Sequence, residues 1–309
     1  MSPQWQKQRE RSTPFALKII RWIALHLGRG FARLLLYPIV GYFLLTSREA
    51  CRSSRQFLSR ALGRPATGMD VARHLHTFAS TILDRVFLIT DRFDEFEIEI
   101  FNEDVARAHA QLDNGCLLIG SHLGSFEALR ALGVVKGEDH GIKVKMLMNR
   151  GQNEMITRVL EALNPSVVDM MIDTSGGDAD TALRIKNALD EGCVVSMLGD
   201  RVNSAQEKYT HCNFLGEKAV IPLGWLLLAS VLKVPVLLCF GLYRGGNRYD
   251  IHFELLSDGI HLERGRREEQ AAEWAQRYAD RLAHYARLAP YNWFNFFDFW
   301  ESAYVDHLE

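Results

Sequence analysis

The chain has 309 residues, with 36 Lys/Arg against 38 Asp/Glu and a formal net charge of −2. That balance excludes a protein built mainly to bind nucleic acid, and a composition 48% hydrophobic and 24% charged excludes a disordered one. The length suits one large α/β domain or two small ones.

The first sixty residues are basic: eleven Lys/Arg, from Lys7 to Arg60, face only Glu10 and Glu49. Inside this region lies the apolar stretch Phe15 to Thr46, whose longest uncharged piece, Leu34 to Ser47, is shorter than the ~20 residues needed to span a bilayer. Arg21, Arg29 and Arg33 interrupt the rest. No cleavage site of signal-peptide type follows. The expected structure is a basic helical hairpin, bent near Pro38 and lying in a membrane interface; a hydrophobic helix packed onto the domain is the alternative. The domain division expected is 1–65 for this membrane-associating segment and 66–309 for a catalytic domain.

From about residue 95 the pattern alternates between strands and helices. FEIEIF (Phe96 to Phe101) alternates apolar and acidic residues, as a half-buried strand does. A helix is expected near Glu103–Leu112, then the strand CLLIG, then a helix from about Gly124 to Val135. IKVKMLM (Ile142 to Met148), a helix from about Asn153 to Leu163, and VVDMMI (Val167 to Ile172) follow. Asp178 or Asp180 is expected to cap a helix ending at Gly192. CVVSMLG, VPVLLCFGLY and YDIHFELL read as further strands, and an amphipathic helix from about Arg266 to Leu288 closes the domain. This order predicts an α/β fold: a mixed, largely parallel sheet flanked by helices. The five cysteines are scattered without a C-x-x-C pair, which suits a reducing compartment. His211 and Cys212 lack further ligands at metal-site spacing, so no metal site is expected.

Open α/β sheets bind ligands beyond the carboxyl ends of their strands. Four successive strands are followed there by Ser121-His122, Asn149-Arg150, Asp173-Thr174 and Asp200-Arg201. Within IGSHLGSFEAL, His122 and Glu127 are five residues apart, roughly 140° around a regular helix, and so cannot work together on one straight helix. A bend at Gly120 and Gly124 would allow a carboxylate to fix the tautomer of a histidine base. A helix cap at His122 explains the same pair without catalysis.

SHLGSFE resembles the H-x-x-x-x-[DE] block of the glycerolipid acyltransferase superfamily, in the Glu form of the late acyltransferases of lipid A biosynthesis. MNRGQNEM, MLGDR with CNFLGEKAVIPLGWLLLASVLKVPVL, and PYNWFNFF resemble that family's later blocks in order and spacing, over about residues 15 to 300. Ser121 departs from the pattern, since many members carry Asn there, and Asp200-Arg201 fall where related enzymes vary.

The resemblance implies transfer of a fatty acyl group from a thioester, on acyl carrier protein or coenzyme A, to a hydroxyl or amine of a membrane lipid acceptor at the cytoplasmic face of a bacterial inner membrane. It implies no cofactor and no covalent enzyme intermediate. His122 would be the base and Glu127 its orienting partner. Backbone N–H groups near Gly124 would hold the oxyanion, and Ser121, Asn149, Arg150, Asp200 and Arg201 would bind substrate. An acceptor other than a lipid A precursor, such as an amino-acid lipid or a polyene or pigment head group, fits the same machinery. A thioesterase or lipid hydrolase using the same pair is the competing class. Arg52, Arg55, Arg60 and Arg64, or Arg264, Arg266 and Arg267, are the surfaces expected to receive an acidic carrier protein.

Overall fold

A computed structural model describes residues 28–125, 142–148, 164, 169–202 and 206–300. In chain order the elements are α1 (Leu36–Thr46), α2 (Arg48–Leu62), α3 (Gly68–Ile89), β1 (Glu97–Phe101), α4 (Glu103–Ala110), β2 (Cys116–Gly120), β3 (Val144–Met148), β4 (Met171–Asp173), α5 (Asp178–Asp190), β5 (Val194–Leu198), β6 (Tyr209–Phe214), β7 (Glu217–Pro222), α6 (Gly224–Leu232), β8 (Val236–Gly245), β9 (Arg248–Ser257) and α7 (Arg267–Leu288). Of the helix expected from about Gly124, only Gly124 and Ser125 are described, and Gly124 forms a bridge with Gly241; the rest of it and the helix expected at 153–163 lie outside the described residues.

Seven strands form one mixed sheet in the order β1-β9-β8-β2-β5-β3-β4, and β6 and β7 form a separate antiparallel hairpin. Only β8 and β9 pair antiparallel in the large sheet; every other neighbour is parallel. The apolar run CLLIG explains the centre of this order. All five residues of β2 are buried, as expected for a strand covered on both faces. The half-exposed EIEIF stands at the edge. A second edge strand, β4, is only three residues long, Met171–Asp173, and Val167 and Val168, expected to begin it, lie outside the described residues.

One face of the sheet is covered by α7, whose Ala271, Ala275, Tyr278, Ala279 and Leu282 are fully buried. These small residues at helical spacing let the helix lie close to the strands. The α5 start differs from expectation: the cap is Gly177, with no side-chain cap bond, and Asp180 instead pairs with Arg184 one turn on, Nε to Oδ2 2.7 Å. A glycine with φ of 93° adopts the entry conformation that an aspartate cap would resist.

The N-terminal helices pack on the domain. Phe57 and Leu58 of α2 share one core with Trp293 and the residues of α7, so the helices on either side of residue 65 have a common interior. Arg29 forms a two-point ion pair with the fully buried Asp84 of α3 (2.7 and 2.8 Å), which also accepts from the Tyr249 hydroxyl at 2.9 Å. Arg33 donates to the Gly246 carbonyl and the Tyr243 hydroxyl, both at 2.6 Å. These two arginines, read from sequence as interruptions of an apolar span, tie the segment to the β8–β9 hairpin.

The sharp bend falls at Ser47 rather than near Pro38: the helical stretches Gly28–Thr46 and Arg48–Leu62 meet at 97°. Pro38 sits in the first turn of α1, where its missing N–H costs little. No single described helix is long and apolar enough to cross a membrane. The stretch Gly28–Thr46 nonetheless exposes apolar side chains, with Leu34, Tyr42 and Leu45 outward.

Candidate active site

Strand register builds the site. β2 and β5 are parallel neighbours with Gly120 opposite Leu198, so the residues two positions past Gly120 and Leu198 emerge side by side. Those residues are His122 and Asp200. The pairing continues past the strands, where the Gly199 amide donates to the Gly120 carbonyl at 3.0 Å. From α7, the buried Tyr278 hydroxyl donates to the same carbonyl at 3.0 Å and braces the strand end.

His122 Nδ1 lies 2.8 Å from Asp200 Oδ1. Asp200 is fully buried, and its other oxygen accepts from the His122 amide (3.1 Å), the Trp293 indole (3.3 Å) and the Asn295 side-chain amide (3.0 Å). Burial alone would push this carboxyl up. His122, Arg201 and the hydrogen bonds outweigh it and hold the carboxyl well below the usual range. An ionised carboxylate can only accept, so His122 Nδ1 carries the proton and Nε2 keeps its lone pair. Among the described residues nothing hydrogen-bonds Nε2. Burial, and then the positive charge of Arg201, push the His122 pKa below 6.5 against the opposing pull of Asp200, with Arg85 adding to the lowering. The imidazole is therefore neutral at pH 7, with Nδ1 held and, among the described residues, no partner on Nε2.

The C-terminal segment closes the site. Phe294 N donates to the His122 carbonyl and Gly124 N to the Asn292 carbonyl, each at 2.7 Å, around a bridge between Leu123 and Trp293. Asn292 clamps the segment to β8, accepting from Tyr243 N (2.7 Å) and donating to its carbonyl (3.1 Å). Asn295 links two charged residues: while donating to Asp200 it accepts from Arg201 Nε at 2.6 Å. Arg201 also donates to the Phe294 carbonyl at 3.0 Å, with its guanidinium 5.5 Å from the Phe297 ring centre.

From the other side, the buried His74 of α3 donates through Nε2 to the Trp293 carbonyl (2.9 Å) and accepts through Nδ1 from Ser54 of α2 (2.8 Å). Burial lowers its pKa to about 4, so it stays neutral. A continuous hydrogen-bonded path thus runs from α2 through His74, Trp293 and Asp200 to His122.

Several expected site residues take other places. Asp200, expected to bind substrate, is enclosed and serves as the carboxylate that holds His122. The amides of Gly124 and Ser125, expected as oxyanion donors, are occupied by the carbonyls of Asn292 and Gly241, both at 2.7 Å. Ser121 is buried. Arg201 reaches the site but spends two of its donor groups on the C-terminal segment, so its contribution to His122 is charge. Glu127, Asn149 and Arg150 lie outside the described residues. The sequence reading missed Asn292, Asn295 and Trp293 as site-builders. Two asparagines inside the aromatic run PYNWFNFF were the available signal, because buried amides require partners.

The sequence matches no family model and no curated protein. The chemistry is accordingly read from the geometry. A neutral histidine with a buried carboxylate on Nδ1 and, among the described residues, no partner on Nε2 can act as a general base. Among the described residues no serine, threonine or cysteine side chain is hydrogen-bonded to that imidazole.

Proposed function

We propose that the protein is an acyltransferase in which His122, oriented by Asp200, takes the proton of an acceptor hydroxyl or amine as that group attacks an acyl thioester. The observation that carries this reading is the His122–Asp200 pair at the end of the central parallel strand, set beside Arg201 and Arg85 and, among the described residues, without a paired side-chain nucleophile. The resemblance of SHLGSFE, MNRGQNEM, MLGDR and PYNWFNFF to the late acyltransferases of lipid A biosynthesis supports the donor and acceptor classes: acyl carrier protein or coenzyme A thioester, and a lipid at the cytoplasmic face of the inner membrane.

In this reading Asp200 stabilises the imidazolium formed in the transition state without taking its proton. Arg201 and Arg85 favour the developing negative charge on the carbonyl oxygen. Arg150 and Asn149 are proposed substrate contacts on the strength of the resemblance. Glu127 stays a candidate partner of the reacting groups, while the place on His122 Nδ1 is assigned to Asp200.

The test incubates the full chain in detergent micelles with an acyl carrier protein thioester, with and without extracted bacterial lipid, and follows the acyl group by mass spectrometry. Acyl transfer that needs the lipid is expected. Free fatty acid released at full rate without any acceptor assigns the site to hydrolysis and overturns the transferase reading.

A further inference from the structure

We infer that the outer corner between α1 and α2 is a docking surface for an anionic phospholipid bilayer. Arg48, Arg52 and Arg55 follow one another at i, i+4 and i+7 and so share a single face of α2. All three are exposed, and none of their side chains has a hydrogen bond or ion pair among the described residues. They line an open groove of about 570 Å³ that also includes the buried Gln56 Oε1, which has no partner there.

Other arginines once grouped with them are engaged. Arg60 pairs with Glu217 and stacks 4.3 Å from the Trp300 ring centre, and Arg64 holds Asp70 at 2.8 and 3.0 Å. Of these five arginines, the three without an ion pair among the described residues lie on the outward face of α2.

What lies next to that charge selects the partner. Leu44, at the end of α1, lines the same groove as Arg48, and the helical stretch Gly28–Thr46 that contains it exposes Leu34 (63%) and Leu45 (83%). An acidic protein would satisfy the arginines but leaves this apolar side unexplained. A bilayer answers both: α1 buries its apolar side at the acyl boundary while the arginines meet head-group phosphates. The other face of α2 carries Ser54 and Phe57, the latter with its ring centre 4.8 Å from that of Trp293. The surface thus sits one helix diameter, about 10 Å, from the segment that closes the site.

This inference adds a defined surface and lipid charge to the membrane location proposed above. It stands whether or not the chain transfers acyl groups. The experiment is flotation of the full chain with vesicles of phosphatidylcholine alone or with roughly one third phosphatidylglycerol. At about 1 kcal/mol per surface arginine, the variant Arg48→Gln/Arg52→Gln/Arg55→Gln should bind the anionic vesicles roughly 100-fold more weakly. A second variant, Leu34→Gln/Leu45→Gln, should also lose affinity, and its remaining binding should be the more salt-sensitive. Residues 1–27 are present in every arm, so the differences report this corner alone. Unchanged circular dichroism melts, expected for exposed positions, establish that each variant is folded. Equal binding by the arginine variant and the parent, or equal binding of the parent to both vesicle types, overturns the inference. So does a triple variant that loses only its affinity for an acidic carrier protein, which would assign the face to a protein partner.

Discussion

Replacing His122 with Gln should lower acyl transfer by about three orders of magnitude, within the 10²–10⁴ range that general-base catalysis contributes, while the protein stays folded. Glutamine can still donate to Asp200, so that carboxylate keeps a partner, but no group remains to accept the acceptor's proton. Asp200→Asn should cost about as much by a different route. The asparagine carbonyl can take the position that accepts from the His122 amide, Trp293 and Asn295. Its NH₂ then faces His122 Nδ1 as a donor, which drives the imidazole proton to Nε2 and occupies the base nitrogen. Steady-state kinetics on both variants, with unfolding curves alongside, check these expectations. An Asp200→Asn protein with parent-like turnover would show that the carboxylate is only structural.

The second large effect is on folding. Gly124→Ala is expected to cost about 4 kcal/mol or more, the scale at which a named steric mechanism is required. Gly124 has φ of +77°, and a Cβ there would stand 1.8 Å from the Gly241 carbonyl oxygen and 2.7 Å from its carbon. Both neighbours are backbone of a central strand, so neither can swing away. Relief would break the bridge to Gly241 and the Ser125 amide bond at 2.7 Å, and with them the turn that presents His122. Denaturant unfolding of the variant measures the cost, and a loss below about 1 kcal/mol would contradict the account.

Much of this architecture could be read from the sequence because it is local. CLLIG and CVVSMLG are continuous apolar runs that only a doubly covered strand requires, and the small-residue face of α7 repeats at helical spacing. The position of His122 was also legible, since the helical-spacing objection to a His122–Glu127 pair takes the histidine off a straight helix and places it in the turn just past β2.

The partner of His122 was not legible, for a physical reason. Asp200 is 78 residues away, and the two meet only because β5 lies beside β2, whereas the strand after β2 in sequence lies one place further out. Alternation of strands and helices does not encode that order. The same holds for Asn292 and Asn295, whose value comes from a C-terminal segment folding back over the β2 turn. The partners of Arg29 and Arg33 were hidden for the same reason: the buried Asp84 and the β8–β9 hairpin lie far along the chain, where no local pattern reveals them.

The central claim is that His122 stands neutral, protonated on Nδ1 and open on Nε2. A pH titration of the full chain by ¹⁵N NMR of the histidine side chains, with His122 assigned from the His122→Gln spectrum, tests it most directly. The account predicts the Nδ1–H tautomer at pH 7.5 and an apparent pKa below 6.5, so the base form persists at neutral pH and is lost only as the solution turns acidic. An Nε2–H tautomer, or an imidazolium still present at pH 7.5, would contradict it.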